Sequence, residues 1–141
     1  MNTFERFRDA VDRRDHDTMR DLLAPGVRFF SPVRFTPYVG RELVFRVFGV
    51  LMRRVFDNND YRYVGEVSGR AETSAGRKAS THILIFRGTV RGRQVHGIDL
   101  IQLNDDGLVE EVTVMVRPQT ALTALGDAVL AGLAAEGLAT A

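Results

Sequence analysis

The sequence has no cysteine, and its formal net charge is only +1. The lack of cysteine excludes disulfides and thiolate metal sites, and 19 basic residues against 18 acidic ones give no electrostatic basis for binding nucleic acid or an anionic membrane. The longest apolar stretch, residues 43–52, is interrupted by Arg46 and is about half of what a bilayer span requires. The first residues lack the basic flank and apolar run of a signal peptide. We therefore expect a cytoplasmic protein that binds neither nucleic acid nor membrane.

What the chain does have is an ordinary globular composition, 45% hydrophobic and 26% charged over 141 residues, which fits one domain. A capping pattern that begins at Asn2 predicts a first helix, and Asp15 or Asp17 begins a short second helix that ends at Pro25-Gly26. The remaining elements predicted for this half are a short strand at 27–31, a loop at 33–40 and a long, mostly buried helix at 41–56.

The second half has the composition of β-strands. The predicted strands cover 61–69, 79–90, 94–104 and 108–117, with tight connections at Arg91-Gly92-Arg93 and Asp105-Asp106-Gly107, before a closing helix at 120–133. Helices followed by a meander of antiparallel strands are typical of an α+β fold. Because both faces of these strands are apolar, the sheet must be covered twice. We predict helices on one face and, on the outer face, a second copy of the chain in a homodimer.

The order of short motifs along the chain resembles a known family. Ser31-Pro32, Gly40-Arg41-Glu42, Gly97-Ile98-Asp99 and Arg117-Pro118 follow one another as in the nuclear transport factor 2-like superfamily, in its SnoaL-like polyketide cyclase and ketosteroid isomerase branch. The resemblance implies an α+β roll of the cystatin-like type, in which a cone-shaped, curved antiparallel or mixed sheet and three N-terminal helices enclose an apolar pocket. It assigns this domain to residues 1–118, places a C-terminal helical tail of the same domain at 119–141, and again implies a dimer.

Comparison with the isomerases of this branch identifies one matching catalytic position. Their oxyanion-hole aspartate matches Asp99, which lies in mid-strand among apolar neighbours, where aspartate is disfavoured. Their general base falls on Ser31, their oxyanion-hole tyrosine on Phe7 and a supporting tyrosine on Phe48. Standard ketosteroid isomerase chemistry is therefore not expected. By analogy with the buried oxyanion-hole aspartate of the isomerases, burial would raise the pKa of Asp99. Asp99 would then be an acid, a base or a neutral hydrogen-bond donor.

The resemblance also implies which side chains line the pocket. The predicted ligand-binding residues are Phe7, Val11, Phe29, Ser31, Tyr38, Phe48, Met52, His82, Phe86, Ile101 and Val114. A pocket with this aromatic lining suits a small apolar ligand of the polyketide, steroid or terpenoid kind. The alternative interpretation of the same aromatic residues is plain core packing.

The three histidines are too scattered for a metal site, and neither a metal nor an organic cofactor is expected. If the turn is centred on Gly92, His82 lies opposite Leu103 and roughly 13 Å along the strand from the partner of Asp99, which argues against a direct dyad. His96 has the opposite parity and is expected at the dimer face, and His16 is expected in a solvated turn.

Two hypotheses for function remain at this point. In the first, the chain is a cofactor-independent isomerase, cyclase or dehydratase in which Asp99 is the acid/base or hydrogen-bond donor. In the second, it is a non-catalytic ligand-binding or dimeric accessory module of the same fold. The carboxylate retained among apolar neighbours favours the first, and the absence of the other isomerase groups favours the second.

Overall fold

The computed structural model describes residues 1–138, so residues 139–141 of the predicted tail lie outside the described part. The helices are α1 (Thr3–Asp12), α2 (His16–Leu22), α3 (Arg41–Val50) and α4 (Gln119–Ala135), and α3 continues as a π-helical segment, Leu51–Val55. No helix within residues 1–138 is both long and apolar enough to cross a membrane.

Asn2 caps α1 as predicted, and of the two candidates for α2, Asp15 and Asp17, the cap is Asp15. The side chain of Asn2 accepts a hydrogen bond from the Glu5 amide at the start of α1, and Asp15 accepts one from the Thr18 amide at the start of α2. Helix α2 ends at Leu22, and the chain passes directly into a strand instead of breaking at Pro25-Gly26. This pair lies where the strand pairing is irregular, and such a position tolerates a residue without an amide donor.

One six-stranded sheet forms the other layer. Its strands are β1 (Leu23–Phe30), β2 (Tyr38–Val39), β3 (Arg62–Glu72), β4 (Lys78–Val90), β5 (Arg93–Leu103) and β6 (Val109–Arg117). Their order is β2-β1-β6-β5-β4-β3, and only the β1–β6 pair is parallel. The short strand β2 falls within the predicted loop at 33–40, where two residues give too little pattern to be recognised. The prediction of an α+β fold with a curved, mixed sheet is confirmed.

The C-terminal helix is part of the same core. A Cβ atom on Gly132 would lie 2.7 Å from Val50, so α4 approaches α3 closely at this glycine. Glu136 at the end of α4 pairs with Arg53 at 2.7 Å and with Arg54 at 2.8 Å. Leu125 and Leu133 are buried between these elements. Helix α4 therefore covers the sheet together with the three N-terminal helices.

The outer face of the sheet is divided into three zones. At one end the β3–β4 hairpin bends over it, so that the outward-facing Gln102 and Glu111 are only 2% and 1% exposed. Gln102 donates to the carbonyls of Ala71 and Glu72, while Glu111 accepts from Ser74 and pairs with Arg28. The centre is apolar, with Val67 and Met115 more than half exposed. The opposite end is basic, with Arg62, Arg87 and Arg117 in one row.

Candidate functional site

A cavity of about 180 Å³ lies between the inner face of the sheet and the helices. Nine of the eleven residues predicted to bind a ligand line it, and so does Asp99: Phe7, Val11, Phe29, Ser31, Tyr38, Phe48, Met52, Phe86 and Val114. Leu125 and Val129 of α4 also line it, so the enclosing helices include the C-terminal one. Whether these side chains bind a ligand stays a prediction.

His82 and Ile101 do not line the cavity, because they lie further along the inner face. The connection between β4 and β5 is a two-residue turn, Arg91 and Gly92, both with positive φ, as a type I′ hairpin requires. The observed pairing of β4 with β5 is therefore shifted by two residues from the pairing predicted for a turn centred on Gly92. His82 pairs with Ile101 and not with Leu103, and it is two residues from Leu84, the partner of Asp99. The predicted 13 Å separation along the strand was wrong and is roughly 7 Å.

His82 belongs to a second polar cluster, outside the cavity. Its Nδ1 lies 2.5 Å from the Ser68 hydroxyl, and its Nε2 lies 2.7 Å from the Glu66 carboxylate. The ring stacks on Phe4 of α1, and Arg8 of the same helix pairs with Glu66. These contacts tie the edge strand β3 to α1, and they occupy both ring nitrogens of His82.

Asp99 carries the buried carboxyl group of the cavity, at 8% exposure. Its one hydrogen bond in the described structure is accepted from the Tyr63 hydroxyl at 2.7 Å. Burial raises the pKa of Asp99 from 3.8 to about 6, and the Tyr63 hydrogen bond offsets part of that rise. The carboxyl group therefore titrates close to neutral pH, and a ligand that excludes water from it would raise its pKa further.

Tyr61 and Tyr63 are two further cavity residues that the sequence pattern did not predict. Burial raises the pKa of both phenols well above 10, so Tyr63 remains protonated and donates to Asp99. A bulge between Tyr63 and Gly65 puts Tyr63 opposite Phe86 and Glu66 opposite Leu84, both on the inner face. Simple alternation cannot place residues 63 and 66 on one face, because an extra residue is needed between them. The signal available in the sequence was the tyrosine pair itself at the start of a predicted strand.

The positions that match the other isomerase groups contribute little polarity. Phe7 and Phe48 present apolar rings to the cavity, as their residue types require. Ser31 lines the cavity, and its Oγ accepts a hydrogen bond from the Val33 amide at 3.2 Å. That bond uses a lone pair of the hydroxyl oxygen and leaves its proton available to a ligand acceptor.

Charged residues lie at the end of the cavity next to the π-helical segment. Arg14, with a positive φ of 53°, donates to the carbonyls of Met52 and Phe56 at 2.8 and 3.0 Å and so links the end of α1 to that segment. Asp12 lines the cavity beside it, and burial raises the pKa of this carboxyl. A ligand thus meets polar groups at this end and Asp99 inside.

The other histidines are placed differently from each other. His96 lies on the outer face opposite Arg87 and Arg117, as its parity predicts. His16 is not solvated as expected: both ring nitrogens are shielded from solvent without a partner, the ring packs edge-on against Phe45, and burial lowers the histidine pKa. No group of three or more potential metal ligands occurs among the described residues.

Comparison with known proteins identifies the fold and the family. A family profile for the SnoaL-like domain matches residues 4–112, whereas no curated protein matches the chain in sequence.

Three solved structures illustrate the likeness. An uncharacterised protein with a cystatin-like fold from Silicibacter pomeroyi DSS-3 is 28% identical, with a TM-score of 0.81 over 96% of this chain and 87% of its own. A steroid delta-isomerase from Pseudomonas aeruginosa is 30% identical, with a TM-score of 0.77 over 95% of this chain and 90% of its own. A protein of unknown function with a cystatin-like fold from Xanthomonas campestris, at 22% identity, shares the fold, with a TM-score of 0.64 over 89% of this chain and 98% of its own. The chain therefore belongs to the SnoaL-like family.

Proposed function

We propose that the protein binds a small apolar carbonyl compound in its cavity and moves a proton on the carbon next to the carbonyl, with Asp99 as the base. One observation carries this proposal: the Asp99 carboxyl group, with a pKa of about 6, lies buried in a cavity whose lining is mainly apolar. A general base is most effective when its pKa is near the working pH. The SnoaL-like family and the similarity to a steroid delta-isomerase support a reaction of the isomerase type.

The proposal gives each polar group a role in the proton transfer. The Asp99 carboxylate accepts the proton from the carbon atom, and returning it to a different carbon completes an isomerisation. The Ser31 hydroxyl donates to the oxygen on which negative charge develops, in place of the tyrosine of the standard isomerases. Tyr63 holds the carboxylate in position through its 2.7 Å hydrogen bond. Activity should rise with pH through about 6 as Asp99 ionises.

The cavity volume favours small ligands. Ligand pockets generally measure ~300–1,000 Å³, and the 180 Å³ here is smaller. A ligand of one or two rings therefore suits the cavity better than a four-ring steroid.

A non-catalytic carrier is the second candidate function. The observation that favours it is that Phe7, Phe48 and Ser31 occupy the positions of three isomerase groups, so the lining retains hydrophobic contact but little catalytic polarity. A carrier would use the same cavity and the same apolar ligand.

Proton exchange distinguishes the two candidates without knowledge of the natural substrate. The probe is 2-tetralone in deuterated buffer at pH 7, with loss of the proton signal next to the carbonyl followed by NMR. We expect the wild type to accelerate exchange and Asp99→Asn to be at least ~100-fold slower, the range that a general base contributes. Glu66→Gln, which changes an inner-face carboxylate outside the cavity, should remain within about threefold of wild type.

Binding is measured separately by thermal shift, because a ligand stabilises the folded state by an amount that grows with the logarithm of its excess over Kd. Stabilisation of the wild type and of Asp99→Asn, with exchange in the wild type only, supports the enzyme. Stabilisation without exchange in either protein supports the carrier. If Asp99→Asn exchanges as fast as the wild type, Asp99 is not the base.

We also propose that the outer sheet face binds a second copy of the chain. The central zone combines exposed Val67 and Met115 with partly buried Ile83, Ile98 and Leu100. These residues carry no charge, so an isologous contact would bury apolar surface without charge repulsion. Replacement of Met115 by Lys should convert a dimer into a monomer in sedimentation experiments, and a monomeric wild type at high concentration would contradict the proposal.

A further inference from the structure

The basic end of the outer sheet face forms a row of four side chains that the strand register places directly opposite one another. Arg62 on β3 pairs with Arg87 on β4, Arg87 pairs with His96 on β5, and His96 pairs with Arg117 on β6. Like charges directly opposite each other on neighbouring strands destabilise a sheet. The row therefore costs folding free energy unless something compensates its charge.

The described part of the chain supplies little compensation. No carboxylate of residues 1–138 pairs with Arg62, Arg87 or Arg117. Arg62 donates to the backbone carbonyl of Asp60 at 2.9 Å, and Arg117 reaches only the Nδ1 of His96, at 3.5 Å. The carboxylate that lies beside the row is that of Asp60, and it accepts a hydrogen bond from the Thr89 hydroxyl.

These side chains surround a recess and not a flat surface. The recess measures about 470 Å³ and is lined by all four members of the row together with Asp60, Thr89 and Gln94 among others. Three guanidinium groups against one carboxylate leave two uncompensated positive charges, which matches a dianion. Guanidinium groups bind phosphate through two parallel hydrogen bonds.

We propose that this recess binds a small multivalent oxyanion of the phosphate or phosphate-ester class between Arg62, Arg87, His96 and Arg117. The recess lies on the outer face of the sheet, whereas Asp99 faces the inner side; Arg62 lines both the recess and the cavity. A bound dianion would attract each positive side chain of the row and so offset the repulsion between them.

His96 gives the site a pH dependence. Burial and the charges of Arg87 and Arg117 lower the pKa of His96 in the free protein. Arg62 and Asp60 are the other charged groups that line the recess. A bound dianion would raise the pKa of His96, so binding of an anion whose own charge does not change should take up a proton and should strengthen as the pH falls toward 6.

Calorimetric titration with inorganic phosphate at fixed ionic strength tests the proposal. We expect saturable binding at one site and at least tenfold weaker binding by Arg87→Gln and by Arg117→Gln. Arg70→Gln is the matched control, because Arg70 is an exposed arginine of the same strand as Arg62 but does not line the recess. Titrations with sulfate, which remains a dianion over this pH range, in two buffers of different ionisation enthalpy at pH 6.5 should show proton uptake that His96→Asn abolishes.

A stability measurement provides a second readout that does not depend on calorimetry. In phosphate-free, low-salt buffer the Tm of Arg87→Gln should be higher than that of the wild type, since one repulsive pair is removed. Phosphate should raise the Tm of the wild type by several degrees and that of the variant by clearly less. Phenyl phosphate binding more tightly than inorganic phosphate assigns the site to an ester, and equal binding assigns it to free phosphate.

Absence of saturable phosphate binding up to 50 mM would overturn the proposal. An equal loss in Arg70→Gln would also overturn it, because the effect would then be general charge screening.

Discussion

Asp99 and Glu66 lie in one row of the inner sheet face, on either side of Leu84, and yet their environments are opposite. Asp99 is buried, has one neutral hydrogen-bond partner, and has a pKa raised to about 6. Glu66 is 41% exposed at its side chain, contacts Arg8 and His82, and has a pKa lowered first of all by the hydrogen bond with His82. The contrast shows that position on a face does not set the chemistry of a carboxyl group; its solvent access and its partners do.

The two carboxylates therefore have different roles. The charge on Glu66 is used to hold β3 against α1. The charge on Asp99 is not neutralised by any cation of the described residues, so it costs folding free energy and is available to act on a ligand. Groups held in such a state are characteristic of functional sites.

The largest change in the free energy of unfolding is expected from Asp99→Asn. The Asp99 carboxyl has the ordinary pKa of 3.8 in the unfolded chain and a pKa of about 6 in the folded chain. Between these values the folded state binds more protons than the unfolded state. A rise in pH through this range therefore destabilises the folded state. Asparagine removes that cost, and urea unfolding at pH 8 should show a gain of about 2–3 kcal/mol. At pH 4 and below the gain should disappear. A variant that is less stable than the wild type at pH 8 would contradict the burial assigned to this charge.

Tyr63→Phe is expected to have the next largest effect. It removes the hydrogen bond that holds down the pKa of Asp99, so the pKa should rise above its wild-type value in a carboxyl ¹³C NMR titration. Loss of a hydrogen bond to a charged group should cost about 1.5 kcal/mol at pH 8, where Asp99 is ionised. Tyr61→Phe is the matched control, since in the described structure Tyr61 does not bond directly to Asp99. Equal pKa shifts in both variants would mean that Tyr63 has no special role.

Glu66→Gln should have the smallest effect. The pKa of Glu66 is lowered in the folded state, so its charge stabilises the fold above pH 4.5 and this contribution is lost as the pH falls through the folded pKa. Because the pair is half exposed, the loss at pH 7 should be below ~1 kcal/mol and should shrink in 1 M salt. If Glu66→Gln lowered the free energy of unfolding more than Tyr63→Phe does, the Glu66 contacts would contribute more to stability than the hydrogen bond at Asp99, against expectation.

The sequence predicted the elements better than it predicted their contacts. Asn2 and Asp15 were recognisable as helix caps because capping depends on neighbours within three residues. Asp99 was recognisable because an aspartate among apolar strand residues is unusual at any register. Tyr63 was missed and His82 was misplaced, since a bulge near residue 64 and a two-residue turn at 91–92 decide which side chains share a row.

The sequence by itself therefore determined the α+β class, the order of the helices and of the strands other than β2, and the presence of one carboxylate in an apolar strand. Only the tertiary structure decided that Tyr63 holds that carboxylate, that Glu66 and His82 form a separate cluster, and that the arginines of β3, β4 and β6 align. The physical reason is that helix and strand formation follows local periodicity, whereas register depends on pairings between distant residues. One inserted residue in a strand exchanges its faces, and the composition carries no trace of that exchange.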